Sequence, residues 1–282
     1  MFAAGLTIGV IGVGTISSAC VRGLCSMASS PYSFVLSPRN ALKSAALLRE
    51  LGSEQIKVAE SNAAVLEAAD VIFVAVLPSQ AEEVLEALSF CGERHRVVSL
   101  MAGVDLAKLK KWTKTEKVCI AIPLPIVAKR RGVTLMVPRD PLAEAIFRDL
   151  GGAVCVEDEE QFTRMQAMTC IMGDLYERQR TAYEWLAKHG VPREAAAAYV
   201  GALFHCMTDD SADADPTTFQ RLVDEQTPGG MNQMVIQEQQ DDHNYQALEY
   251  SLDSLHTRIT TGQEATSSNK PRARRGAPPG NG

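Results

Sequence analysis

The chain has 282 residues, 46% of them hydrophobic and 22% charged, with a formal net charge of −6. An acidic balance of this kind gives no footing on nucleic acid or on an anionic membrane surface. The densest apolar run, VIFVAVL at 71–77, is strand-sized and far too short to cross a bilayer.

In chain order, residues 6–11 and 34–36 read as strands around a helix at 15–27, and 40–51 as a helix that stops at Gly52. Further strands are expected at 56–58, 71–76, 97–100, 118–122, 133–137 and 153–156. Ser79-Gln-Ala-Glu82 has the spacing of a capping box and predicts a helix start just after the strand at 71. Helices between nearly all strands predict an α/β fold: a Rossmann-type, doubly wound parallel sheet covered on both faces.

After Glu157 the pattern changes. Residues 161–188, 192–207, 217–225 and 231–259 are helical in period, with breaks at 190–192 and 209–216. The division expected is a dinucleotide-binding domain at 1–156 and an all-helical domain at 157–261. The second supplies the rest of the substrate site and the subunit interface. Its apolar faces along 183–186 and 195–204 are too extensive for one small helical layer to cover, which predicts a homodimer or a multiple of one. The stretch 262–282 is rich in Gly, Pro and Ser and basic, the composition of a disordered tail.

Seven cysteines (20, 25, 91, 119, 155, 170 and 206) form no CxxC pair and stand among apolar positions, as buried reduced thiols of a cytoplasmic protein do. The apolar N-terminus has no basic n-region and is not read as a signal peptide. The five histidines lack metal-ligand spacing, so no metal is expected; His205, in a Leu-Phe-His-Cys-Met run, reads as a core histidine. Glu157-Asp-Glu-Glu160 reads as a solvated helix N-terminus, and Lys129-Arg-Arg131 as a solvated loop.

The first strand runs into Gly12-x-Gly14-x-x-Ser17 and then a helix. Gly12 permits a tight turn, Gly14 lets a pyrophosphate approach the backbone, and small Ser17 allows close helix–strand packing. The first helical turn, Thr15 and Ile16, then faces the phosphates. After the second strand, where an NAD site wants Asp or Glu, stand Ser37, Arg39 and Asn40. A hydroxyl, a guanidinium and an amide suit a 2′-phosphate, so NADP is favoured over NAD. The other reading makes Ser37-Pro38 a helix cap and Arg39 a solvated side chain. Thr227-Pro-Gly-Gly230, before Met231-Asn232, is either a turn or a helix entrance with bare N–H groups for an anion.

With these pieces in place the chain resembles the pyrroline-5-carboxylate reductases, from about Leu6 to Met234. The resemblance is carried by IGVIGVGTIS, ADVIFVAVLP at 69–78, VVSLMAGV at 97–104, IPLPIVAKRRGVTLMV at 122–137 and VDEQTPGGMN at 223–232. It implies a Rossmann domain followed by interlocking dimer helices, and hydride transfer from NAD(P)H to the C=N carbon of a cyclic imino acid, as in proline synthesis. It sets Val76, Pro78, Ala102 and Gly103 beside the cofactor. It makes Gly229 and Gly230 the holders of the substrate carboxylate, Thr227 the residue that fixes the turn, and Asn232 the stand-in for a hydroxyl.

The chain departs from the family's pattern at Met231-Asn232, at Pro123-Leu-Pro-Ile126, at Leu77 in place of a lysine, and at Thr169–Gly173. These changes make the pocket more apolar and leave room for a related, less polar imine, or for a non-catalytic NADPH-binding protein. A hydroxyacid dehydrogenase would need a lysine on the first long helix, and none occurs from Arg164 to Ala187. A short-chain dehydrogenase would need Tyr-x-x-x-Lys, but Ala187 follows Tyr183 at that spacing.

Overall fold

A computed structural model of the chain describes residues 5–52 and 54–263. The expected tail therefore lies, from residue 264 on, outside the described residues. The chain divides into two compact units, Met1–Gln166 and Ala167–Gly282.

The first unit opens with β1 (Leu6–Ile11), α1 (Thr15–Cys25), β2 (Tyr32–Leu36), α2 (Ala41–Leu51), β3 (Ile56–Val58), α3 (Asn62–Ala68) and β4 (Val71–Val74). It continues with α4 (Pro78–Glu86), β5 (Arg96–Ser99), α5 (Leu106–Thr113), β6 (Val118–Ile122), β7 (Thr134–Val137), α6 (Pro141–Asp149), β8 (Ala153–Cys155) and α7 (Glu159–Met168). One sheet takes all eight strands in the order β3-β2-β1-β4-β5-β6-β7-β8. β1 pairs with β2 and β4 in parallel, Gly9 lying opposite Val35 on one side and Ile72 on the other. This is the doubly wound sheet expected from the alternation of strands and helices.

Two apolar layers hold it. Phe34, Leu36, Phe73 and Val98 point to one face and pack with residues of α1, α2 and α6. Val35, Ile72, Val74 and Val97 point to the other, against α3, α4 and α5. β4 is buried along its whole length because both its faces are covered, which is why it reads as an unbroken apolar run. Phe73 stacks on Phe147 of α6 with ring centroids 5.8 Å apart. Truncating such a side chain costs about 3–5 kcal/mol.

Several expectations are corrected. β7 runs antiparallel to β6, because only a short 3-10 helix, Pro125–Lys129, joins them in place of a covering crossover helix. Ser79 does not cap α4. Pro78, with its φ already helical, takes the first position, and Glu82 turns aside to accept from the Trp112 indole N–H at 3.0 Å. The first unit continues to Gln166 because Phe162 of α7 is buried with the sheet. Glu159 is not simply solvated, since its Oε1 accepts from the Leu106 N–H that begins α5. In the loop at 129–131, Arg130 donates from Nε to the Asp149 carbonyl.

The second unit is helical: α8 (Met172–Lys188), α9 (Arg193–Asp209), α10 (Thr218–Asp224), α11 (Met231–Asp241) and α12 (Asn244–Thr261). The helix expected over 161–188 is interrupted by a 3-10 turn at Thr169–Ile171. The one expected over 231–259 breaks at His243, which is left-handed at φ +57° within Asp-Asp-His-Asn, a run of weak helix formers. His205 is exposed, not in a core, because α9 buries only Ala196 and Val200. Of the cysteines, Cys20 and Cys119 are buried, whereas Cys91, Cys170 and Cys206 are exposed. Burial pushes the Cys20 thiol up to about 12. Among the described residues no cluster of side chains could hold a metal ion, and no helix is long and apolar enough to cross a membrane.

Candidate functional site

The strand order reverses between β1 and β4, so the helices that follow these two strands leave on opposite faces and a crevice opens at the strands' carboxyl ends. A cleft of about 650 Å³ lies there, lined by Gly12, Gly14, Arg39, Lys43, Val76 and Leu77 among others. Gly12 is held at φ +95°, and a Cβ on it would stand 2.6 Å from the Ala75 carbonyl oxygen. The loop after β1 therefore nests against the end of β4, and no larger residue fits. Gly14 differs. A Cβ there would find nothing nearer than 4.0 Å, so its backbone is open to the cleft.

Ser17 does more than stay small. Its Oγ donates to the Gly12 carbonyl at 2.8 Å and accepts from the Gly14 N–H at 2.9 Å, which rigidifies the loop and occupies one of its amides. The first α1 bond runs from the Ser18 N–H to the Gly14 carbonyl. The N–H groups of Thr15 and Ile16 thus precede the helical ladder and remain for an anion.

The residues after β2 separate. Ser37 is buried; its Oγ donates to Asn62 Oδ1 at 2.7 Å, and its carbonyl accepts from Ser44 Oγ at 2.9 Å. It braces the turn and does not line the cleft. Asn40 caps α2, its Oδ1 accepting from the Lys43 N–H. Arg39 lines the cleft with no ion pair among the described residues, as does Lys43 in the first turn of α2. No carboxylate is among the lining residues. Lys43 carried no signal in the sequence, because Arg39 stands before the α2 cap and no helical spacing links the two.

Leu77, 64% exposed, caps the start of α4 and lines the cleft beside Val76, with Pro78 next in the helix. Ala102 and Gly103 are exposed in the turn that follows β5, Gly103 at φ +79°. Gly12, Gly14, Arg39, Asn40 and Val76 are thus brought together around one cleft, and Ser37 is turned away from it.

The Thr227–Asn232 stretch belongs to the helical unit and opens α11. Gly229 is left-handed at φ +70°, and a Cβ on Gly230 would lie 2.9 Å from the Thr227 carbonyl oxygen. Both glycines are therefore required by the turn itself. Their amides are engaged: Gly230 N–H donates to the Thr227 carbonyl at 2.9 Å, and Gly229 N–H to Gln233 Oε1 at 2.6 Å. Asn232 Nδ2 donates to Gln226 Oε1 at 2.7 Å, and Met231 is 81% exposed. Since Met234 N–H makes the first α11 bond, the unengaged first-turn amides are those of Met231, Asn232 and Gln233. Gln226 and Gln233 carried no signal in the sequence beyond their nearness to the glycines.

A dinucleotide-type Rossmann unit with a helical second unit is the class that this fold and cleft define. Within it, the chain is similar to the pyrroline-5-carboxylate reductases, as a divergent relative. A family model described as NADP oxidoreductase, coenzyme F420-dependent, matches residues 7–103. A pyrroline-5-carboxylate reductase from Synechocystis is 26% identical over 176 residues, which make up 60% of this chain and 63% of that protein. The match thus spans just under two thirds of that relative's length. In fold, the chain is similar to a Coxiella burnetii pyrroline-5-carboxylate reductase, with TM-score 0.78 and 21% identity over 92% of this chain and 98% of that one. It is likewise similar to a Plasmodium falciparum pyrroline carboxylate reductase with NADP bound, with TM-score 0.73 and 14% identity over 90% and 98%.

Proposed function

We propose that the chain is an NAD(P)H-dependent reductase of a cyclic imine bearing a carboxylate, and that it prefers NADPH. The observation that carries the reading is the cleft at the strand reversal, lined by a glycine loop and by two cations unpaired among the described residues, with no carboxylate in the lining. Open backbone at Gly14 and cations in place of an acid are the donor set that an NADP phosphate calls for. The NADP in the Plasmodium structure supports the same reading.

In this reading Gly12, Gly14, Thr15 and Ile16 hold the pyrophosphate, and Arg39 faces the 2′-phosphate. Val76, Leu77, Pro78, Ala102 and Gly103 border the nicotinamide end. A nicotinamide held there supplies the hydride. An iminium already carries the proton and positive charge that draw a hydride, so the chain's task is to position and exclude water, and no general acid is required. The entrance of α11 holds the substrate carboxylate. Because Gly229 and Gly230 have their N–H groups engaged, that hold falls to the first-turn amides, or follows displacement of Gln233.

The same reading makes the protein a homodimer. None of the described residues of α8, α11 or α12 is buried, and Trp185 and Tyr199, 59% and 62% exposed, flank an apolar groove of about 660 Å³. A helical layer of that kind needs a partner surface. The test of function is NADPH oxidation against a panel of cyclic imines, with and without carboxylates, beside 2-oxo acids. Turnover of pyrroline-5-carboxylate supports proline synthesis, and turnover of only the more apolar imines supports a shifted specificity. Binding of NADPH with no turnover on any member would leave a cofactor-binding protein without this chemistry.

A further inference from the structure

The turn that follows β5 has little of its own to hold it. Leu100 N–H donates to the Val74 carbonyl at 2.8 Å and Met101 N–H to Ser99 Oγ at 3.3 Å. Beyond these, among the described residues, no hydrogen bond runs from the N–H groups of Ala102, Gly103, Val104 or Asp105. β1, β4 and β5 are parallel neighbours, so this turn lies at the same end of the sheet as the glycine loop. Met101 and Val104, on either side of the exposed Ala102–Gly103 pair, are buried in the same apolar cluster as Phe162 of α7. One helical turn before Phe162, Glu159 Oε1 accepts the Leu106 N–H at 3.0 Å, across 53 residues of sequence. That N–H is the first of α5 and has no partner within its own helix. Of the acids in Glu157-Asp-Glu-Glu160, Glu159 is half-buried and the other three are exposed.

We propose that Glu159 is a positioning residue: by holding the start of α5, it fixes the Ala102–Gly103 turn against the nicotinamide end of a bound dinucleotide. The inference rests on reading the cleft as a dinucleotide site bordered by that turn. Asp105 already caps α5 by accepting the Lys108 N–H at 2.7 Å, so a second carboxylate is not needed to start the helix. What Glu159 adds is a tie to another element of the same unit. Met101 and Val104 anchor the turn through apolar packing, Leu106 anchors its far end through Glu159, and the exposed middle keeps one place without hydrogen bonds of its own. A carboxylate suits the task, since an ionised acceptor makes the stronger bond to a backbone N–H and complements the positive end of α5.

The test is calorimetric titration of the full chain with NADPH and with 2′,5′-ADP, which lacks the nicotinamide half. The unaltered protein is expected to bind NADPH the more tightly. Glu159→Ala should lower the NADPH affinity about fivefold, the scale of one net hydrogen bond, and leave 2′,5′-ADP unchanged. Glu159→Gln keeps an acceptor oxygen at the same reach and should retain most of the affinity. Leu106→Pro deletes the bond from the donor side and should repeat the effect of Glu159→Ala. Proline suits a first helical position, and Asp105 already holds the extended backbone that precedes one. Thermal melts establish that each variant is folded. A folded Glu159→Ala or Leu106→Pro with unaltered NADPH affinity overturns the proposal and leaves the cofactor reading standing. So does equal weakening of both nucleotides, or a loss in Glu159→Gln as large as in Glu159→Ala. Equal affinity of the unaltered protein for the two also overturns it, since the turn then holds no nicotinamide. If the unaltered protein binds neither nucleotide, the cofactor reading falls and the proposal with it.

Discussion

Gln233 Oε1 accepts the Gly229 N–H at 2.6 Å, so the side chain of α11 covers the amide at its own entrance. A carboxylate that takes this N–H has to displace the glutamine. Gln233→Ala is expected to lower the KM for a carboxylate-bearing imine about fivefold, the equivalent of one hydrogen bond of roughly 1 kcal/mol. An imine without a carboxylate should show no change. An unchanged KM together with a lowered melting temperature would make the bond a helix cap and nothing more. Gly230→Val cannot separate these readings, since a Cβ there already meets the Thr227 carbonyl at 2.9 Å.

Ser37 and Arg39 stand two residues apart yet should respond differently. Ser37→Ala removes the partner of Asn62 Oδ1 and should lower stability by about 1–3 kcal/mol, leaving the NADPH to NADH ratio of kcat/KM unchanged. Arg39→Ala should raise the NADPH KM with little effect on NADH and little loss of stability. Steady-state kinetics with both cofactors, beside denaturant titrations, decide the pair. A shifted cofactor ratio in Ser37→Ala would count against a purely bracing role.

Glu144 sets the acid side of stability. Its side chain is only 8% exposed; Arg139 donates to it at 2.7 Å and Arg148 pairs with it from the next turn. The hydrogen bond from Arg139, with charge from Arg139 and Arg148, holds its carboxyl below the usual range despite desolvation. A depressed folded pKa contributes stability above the unfolded value of about 4.3, and that stability is lost as pH falls through the lower, folded value. Glu144→Gln should therefore lower the melting temperature at neutral pH and shrink its further fall on acidification below about pH 4. A variant whose acid limb superimposes on that of the unaltered protein would remove Glu144 from the account.

Light scattering at micromolar concentration should return twice the chain mass or a multiple of it. Trp185→Glu or Tyr199→Glu, on the groove between α8 and α9, should shift the protein toward monomer. A monomer in the unaltered protein would leave the apolar groove to some other partner.

Elements that repeat a local rule were legible in the sequence. β1 and β6 begin and end where the apolar runs do, because a strand buried inside the sheet announces itself through its own side chains. Elements decided by competition were not. Ser79 has the letters of a cap, but Pro78 had already set the helix start. Residues 231–259 keep their period across Asp-Asp-His-Asn, and the break at His243 depends on weak propensities that the apolar pattern hides. The candidate site shows the same division. The glycines after β1 were readable because their backbone demands are local. The roles of Ser37 and Gln233 depend on which neighbour a side chain chooses, Asn62 in one case and Gly229 in the other.

The sheet ends on both sides in strands of three residues, β3 and β8. An edge that short presents few free N–H and C=O groups to a stranger, and it offers poor templating for strand addition between molecules. Concentrating the folded protein should therefore not seed strand addition between sheet edges. A contact between folded copies made through these edges alone would engage few backbone bonds.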